Sequence, residues 1–589
     1  MTNNKDLNNP IRLQIDSEAV QKALSVLQKY KQGKTNLEKR IVENEQWWKL
    51  QHWSVVQNKS AKDPEPTSAW LFNTIANKHA DAMDNYPQVC VLPREKSDSA
   101  AAETLSSVLP VILEYNEFEK TYSDAWWYKL KTGTACYGIF WNKLFENGIG
   151  DVDIKQIDIL NLFWEPGIKD IQDSRNVFTV ELESNEVLME RYPFLKEKIA
   201  GTAIDVAQYI YDDTVDTDNK SAVVDWYYKK TVGYREIVHY CKFVNDTVIY
   251  ASENDPLLFE RGFYDHGKYP FVMDVLFAEE GTPCGFGYVD VLKNTQMYID
   301  KLNQIIIKNA LQSGRRRFFI SDNAGINEEE FADWTKEFVH TSGNLDERNI
   351  REINISQLDG SVINLMYQKI EELKETSGTR DVSQGGTAAG VTAASAIAAL
   401  QEAGSKLSRD MVKASYRAFK KINCMIIELI RQFYDEPRCF RISGVANRIE
   451  FSGFSNADIK ETFVYDDDGQ TLVSVHKPIF DLDVSCQKEN PFSTSAQNEL
   501  AKELYNLGMF NPQMANQALI CLDMMNFEGK EKIVEKIREN ASNYEQSQVV
   551  SLPGNSANGS EDDNYAVRAY RQNLPGRQTL RQASGRTLK

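Results

Sequence analysis

The stretch Gly385-Gly386-Thr387-Ala388-Ala389-Gly390-Val391-Thr392 comes close to spelling a phosphate-binding loop. Such a loop needs lysine where this chain has Val391, because the ammonium reaches the β- and γ-phosphates while backbone amides cradle them. The preceding ETSGTRDVSQ is not the apolar strand that such a loop follows. Nucleotide binding is therefore not expected here. Lys301, Lys308 and Arg315 stand seven apart. Seven residues turn a helix by about 700°, so the three fall on one stripe. That stripe suits weak, salt-screened contacts with a polyanion, or a solvated face. Arg315-Arg316-Arg317 suits carboxylates or phosphates, or ion pairs with the acidic run Glu328-Glu329-Glu330.

The other candidates read as structure. Asp466-Asp467-Asp468-Gly469 lacks the alternate spacing of a calcium loop and fits a hairpin turn. Trp47, Trp48, Trp126, Trp127 and Tyr128 have no basic surround, so they are expected in a core rather than stacked on bases. The six histidines form no metal pair in sequence, and no nucleophile–base spacing occurs. No catalytic group, no metal and no cofactor is expected. The eight cysteines are dispersed, as buried reduced thiols would be.

These residues need elements to position them. The chain has 589 residues, enough for several domains or one elongated subunit. Its net charge of -18 argues against a free-standing nucleic-acid reader, which would usually be basic. No apolar stretch is long enough to span a membrane. Asp16 is placed to cap a helix that ends at Gly33, and Thr35-x-x-Glu38 to open the next. Further helices are expected over TSAWLFNTIANKHADAMDNY and near 98–116 and 118–132, with a strand, QVCVLP, between the first two. IFWNKLF and DVDIKQI flank Asn147-Gly148, a tight-turn signal. VVDWYY, EIVHYCKFV and DTVIYA read as strands. A long helix ends at Gly314, a second covers SVINLMYQKIEELKET, and an apolar stripe runs from Ala393 to Tyr434, with Gly404 as a possible kink. Strands return near RISGVANRIEFSG and HKPIFDLDVSC. Residues 495–547 read helical, and the tail is basic from Tyr565. The class is α+β, predominantly α-helical.

The order of features resembles the portal proteins of tailed bacteriophages. It is carried by NYPQVCVLPRE, by GTACYG followed by FWEPGIKDIQDSRNVF, by Cys284-Gly285-Phe286-Gly287 opening a long helix with Asn303 inside it, and by SQGGTAAGVTAASAIAALQEAGSKLSRDM. The resemblance implies a wing over 1–287, stem helices at 288–313 and 361–382, a clip at 314–360 between them, and a tunnel loop at 383–392. A long kinked helix and the rest of the wing would fill 393–494, a crown 495–549, and a basic tail 550–589. It implies a non-enzymatic ring, usually of twelve subunits, at one capsid vertex of the virion, assembled in the host cytoplasm. Double-stranded DNA would pass its channel, touched by the tunnel loop Gly385–Thr392 and by Lys301 and Lys308. The terminase large subunit, and later the tail adaptor, would dock on the clip at Arg315, Arg316 and Arg317. Major capsid and scaffolding proteins would be further partners, and no membrane is involved. A loop facing a moving polyanion should be small, mobile and neutral, which accounts for the missing lysine. The rivals are a DNA-packaging ATPase, which would need that lysine, and another head–tail junction ring protein.

Overall fold

The first helix begins where the sequence predicts. Asp16 Oδ1 accepts from the Ala19 amide at 3.0 Å, and helix α1 (Ser17–Trp48) follows. The expected stop at Gly33 and restart at Thr35 do not occur. Thr35 turns its hydroxyl back to the Lys31 and Gln32 carbonyls, and Glu38 is buried in mid-helix. Gly33 serves close packing instead, since a Cβ there would stand 2.6 Å from Pro166 Cγ.

The computed structural model describes residues 15–56, 63–196, 206–211, 219–314, 317–321, 325–333, 335–343, 350–353, 358–378, 406–443, 449–465, 472–486 and short stretches between 502 and 542. The chain divides into two units, Met1–Lys488 and Glu489–Lys589. The expected loop 383–392, the possible kink at Gly404, Arg315, Arg316, the turn at Asp468-Gly469 and the tail 550–589 lie outside the described residues.

In the first unit, α2 (Trp70–Met83), β1 (Pro87–Pro93), α3 (Ser99–Tyr115) and α4 (Phe118–Thr132) follow α1 as expected. A three-stranded antiparallel sheet has β2 (Thr134–Asn142) between β3 (Asp151–Ile157) and β9 (Phe271–Val275). The connection from β2 to β3 is longer than the two-residue turn expected at Asn147-Gly148. Asn142 Oδ1 accepts from the Leu144 amide and ends the ladder early; Asn147 and Gly148 then take positive φ. A second antiparallel sheet runs β4 (Leu162–Trp164), β5 (Asn176–Ser184), β6 (Lys220–Val232), β7 (Arg235–Val244), β8 (Thr247–Ala251) in order. It packs on α1 through Val20, Leu27 and Tyr30.

Helix α5 (Tyr288–Ser313) leads to a short antiparallel pair, β10 (Phe318–Ile320) with β11 (Ile350–Glu352), and α6 (Gly360–Ser377) returns alongside α5. Helix α7 (Lys406–Phe433) is followed by three further pairings. β12 (Arg438–Ser443) pairs with β13 (Ile449–Phe454), and β14 (Thr462–Tyr465) with β15 (Leu472–His476). β16 (Phe480–Cys486) reaches back to pair with β1. One core unites the two ends of this unit: Leu105 and Ile112 of α3, Trp126 of α4, Tyr137 of β2, Phe419 and Ile426 of α7, and Leu482 of β16. The tryptophans behave as expected of core residues, with Trp47 and Trp126 buried and Trp48 and Trp127 packed against the same cluster. The second unit holds α8 (Ala515–Asp523) and a small core of Leu504, Ala515, Leu522 and Ile537. The fold is α+β, with more residues in helices than in strands.

Lys34 pins α1 to the turn before β4. Its ammonium is buried and donates to the carbonyls of Ile159, Leu160 and Leu162 at 2.5, 3.1 and 2.9 Å. Burial pulls its pKa from 10.5 down to about 8, with Glu38 at 3.5 Å opposing the shift. Between pH 8 and 10.5 the unfolded chain then holds more protons than the folded one at this site, so the site's contribution to stability rises with pH. Comparing denaturant midpoints of the wild type and Lys34→Met at pH 8 and 9.5 should show a rise of about 2 kcal/mol in the wild type that the variant lacks. Parallel curves would refute the shift.

Candidate functional site

The residues singled out for contact with a polyanion sit on α5, between α5 and β10, and on the segment joining α6 to α7. The root of α5 is fixed by polar side chains that face inward. Asp290 Oδ2 accepts from the Gly287 amide at 3.0 Å, while its Oδ1 accepts from Asn44 Nδ2 at 3.0 Å. One turn and a half later, Gln296 accepts from the Leu71 amide and donates to the Ser68 carbonyl. Asp300 then accepts from the Ser68 amide and hydroxyl, and pairs with His52 Nδ1 at 2.6 Å. His52, Gln296 and Asp300 are buried and hydrogen-bonded to one another or to the Ser68–Leu71 segment, which lets the network hold the helix in place.

Beyond Asp300 no residue of α5 is buried, and on α6 burial resumes only at Ile370. The far halves of the two helices therefore leave the core together. Lys301 is half-buried, and Lys308 is exposed with its ammonium 2.8 Å from Asp63. An exposed pair of this kind contributes at most about 1 kcal/mol, so Asp63 does not lock Lys308 away from a competing anion. Val291, Tyr298 and Ile305 repeat at seven and are 37%, 53% and 46% exposed. They form an apolar stripe in water, about 60° round the helix from the lysines. Arg317 is exposed, and its carbonyl accepts from the Ile353 amide at 2.8 Å. Phe319, two residues on, is 65% exposed, and Phe338 and Val339 of the same stretch between α5 and α6 are exposed at 75% and 41%.

Both ends of the segment 379–405 are tied to the core. Gly378 closes α6 in the left-handed region, at φ +68°. On the other side, α7 is held by charge. Lys129 of α4 donates to Asp274 Oδ1 of β9 at 2.7 Å and to Ser415 Oγ of α7 at 2.8 Å, and Ser415 donates to Asp274 Oδ2 at 2.6 Å. Burial lowers the Lys129 pKa, and Asp274 opposes that shift. About two turns earlier in α7, Ser408 accepts from Lys78 and donates to Asp81. Sequence reasoning missed Lys129, Asp274 and Ser415, because three residues on a helix, a strand and another helix carry no local pattern. It also missed the convergence of Glu95, Asp98 and His476, where His476 Nε2 lies 3.1 Å from Asp98 Oδ1.

Residues 79–552, which take in α5, α6, α7 and the Gly385–Thr392 segment, match the family model of the phage P22-like portal protein. The chain belongs to that family. No curated protein matches the sequence. A phage portal protein is a structural component of the capsid vertex, and the α5–α6 pair and α7 described above are the main helical elements of this portal protein that fall within the match. Among the described residues no helix is long and apolar enough to cross a membrane.

Proposed function

We propose that this portal protein assembles as a ring of twelve around a channel for double-stranded DNA, at one capsid vertex. The ring would admit the genome during packaging, retain it, and release it on ejection. The observation that supports assembly is the apolar stripe Val291, Tyr298, Ile305, which faces water on the side of α5 away from its buried residues and runs on past Asp300, where the helix leaves the core. A single chain leaves that stripe in water, and a neighbouring copy would cover it. Gly385–Thr392, Lys301 and Lys308 are assigned to the channel: small neutral groups and a few screened cations let a polyanion slide. Arg315, Arg316 and Arg317, with the exposed Phe319 two residues on, are assigned to docking of the terminase large subunit and then the tail adaptor. Major capsid and scaffolding proteins would meet the outer wing. Hydrolysis of ATP belongs to the motor in this reading.

Light scattering followed by electron-microscope class averages tests the assembly. Twelve subunits of 67.2 kDa give about 806 kDa, expected as rings with a central hole. A compact monomer or dimer that hydrolyses ATP would overturn the reading.

A further inference from the structure

The outward face of α7 carries charge of the wrong sign for its surroundings. In a chain of net charge -18, residues 406–427 hold six cations and one acid, Asp410. Arg409, Lys413, Arg417, Lys420 and Lys421 are all exposed. Steps of four, four and three from Arg409 to Lys420, with Lys421 four beyond Arg417, keep them on one side, opposite the buried Met411, Ser415, Phe419, Ile422 and Ile426. From Arg409 to Lys421 the helix rises about 18 Å and carries five cations, one about every 4.5 Å on average.

Ion pairing within the chain does not account for Lys413, Arg417 and Lys420. Lys421 lies 3.8 Å from Asp170, at the limit of a surface pair. Among the described residues no carboxylate comes within ion-pairing distance of Lys413, Arg417 or Lys420. Asp481 is near enough to Lys420 to feel its charge, and it is already held by Arg94 at 2.8 Å. Core packing does not use the charges either, because the apolar side of α7 points the other way. What remains is a row of cations along one side of a helix whose far side is clamped by Lys129, Asp274 and Ser415.

We infer that this face of α7 is a phosphate-backbone contact for duplex DNA, in addition to the loop and α5 positions assigned to the channel. The inference rests on the portal reading for the presence of DNA and on the row itself for the contact. Duplex DNA presents a phosphate every 3.4 Å or so along each strand, an unbroken line of charge that a row of this length can follow for about five base pairs. No base-edge readout is implied, since a row of lysines and arginines positions a duplex without reading it.

The test is fluorescence anisotropy of a labelled 30-base-pair duplex with the full-length protein, over a salt series. Lys413→Ala/Arg417→Ala/Lys420→Ala should reduce the slope of log K against log salt by about 2.7, at 0.9 per phosphate released. Lys301→Ala/Lys308→Ala in the same assay reports the α5 stripe separately. A wild-type slope in the triple variant, with circular dichroism unchanged, would overturn the inference. So would loss of rings in the triple variant with the slope retained, because the row would then face a neighbouring copy. Wild-type rings that bind no duplex would sink this inference and leave the portal reading intact. Absence of rings with duplex binding that depends on the row would count against the ring assembly and uphold the contact.

Discussion

Asp274→Ala should cost about 3–5 kcal/mol of stability in the first unit, read as the shift of its denaturant midpoint. The carboxylate lies 2% exposed between Lys129, which is fully buried, and Ser415. Removing it leaves an ammonium in the core with only the Ser415 hydroxyl and the face of Trp126, 4.4 Å away, for company. An uncompensated buried charge is the costly outcome, whereas replacing the whole set with apolar groups of similar size is close to neutral. Lys129→Met/Asp274→Leu/Ser415→Ala should therefore recover most of the loss. A single-variant cost below about 1 kcal/mol would show that the three groups do not clamp α7 to the sheet.

The second large effect concerns assembly. Tyr298→Asp/Ile305→Asp should convert rings to monomers at concentrations where the wild type is fully assembled, as measured by sedimentation velocity. Each apolar side chain covered by a neighbour contributes roughly 1.5–3 kcal/mol, and each aspartate adds the cost of burying a charge. The change recurs at every interface of a closed ring. Both positions are about half exposed in the single chain, so its helix content should stay the same. Rings of unchanged mass would place the interface elsewhere. Lys308→Ala, on the neighbouring stripe, should leave the ring mass unaltered.

Helix α5 was legible from sequence to the residue, because Gly287 and Gly314 flank an unbroken amphipathic run. The central strands were legible from their apolar runs and turn residues. Gly33 was misread because a glycine that breaks a helix and one that lets Pro166 approach look alike in one dimension. The lysine stripe on α5 followed from a spacing of seven, but its apolar neighbour and the Asp63 partner of Lys308 did not. The first needs exposure to be known, and the second lies on a distant segment. The row on α7 was visible in its letters, though only the burial of the opposite side shows that all five cations face outward together.

The pairing of β1 with β16 sets a timetable. Arg94 and Asp481, 387 positions apart, meet at the end of that ladder. At 5–20 residues per second a ribosome needs about 20–80 s to make the chain between them. Through that interval β1 has an open edge and the α3 side of the core has no Leu482 to cover it. The core of the first unit thus stays incomplete until nearly the whole of that unit has been translated. A truncation before Phe480 would expose that same edge permanently, making such fragments the ones a cell must hold with chaperones or destroy.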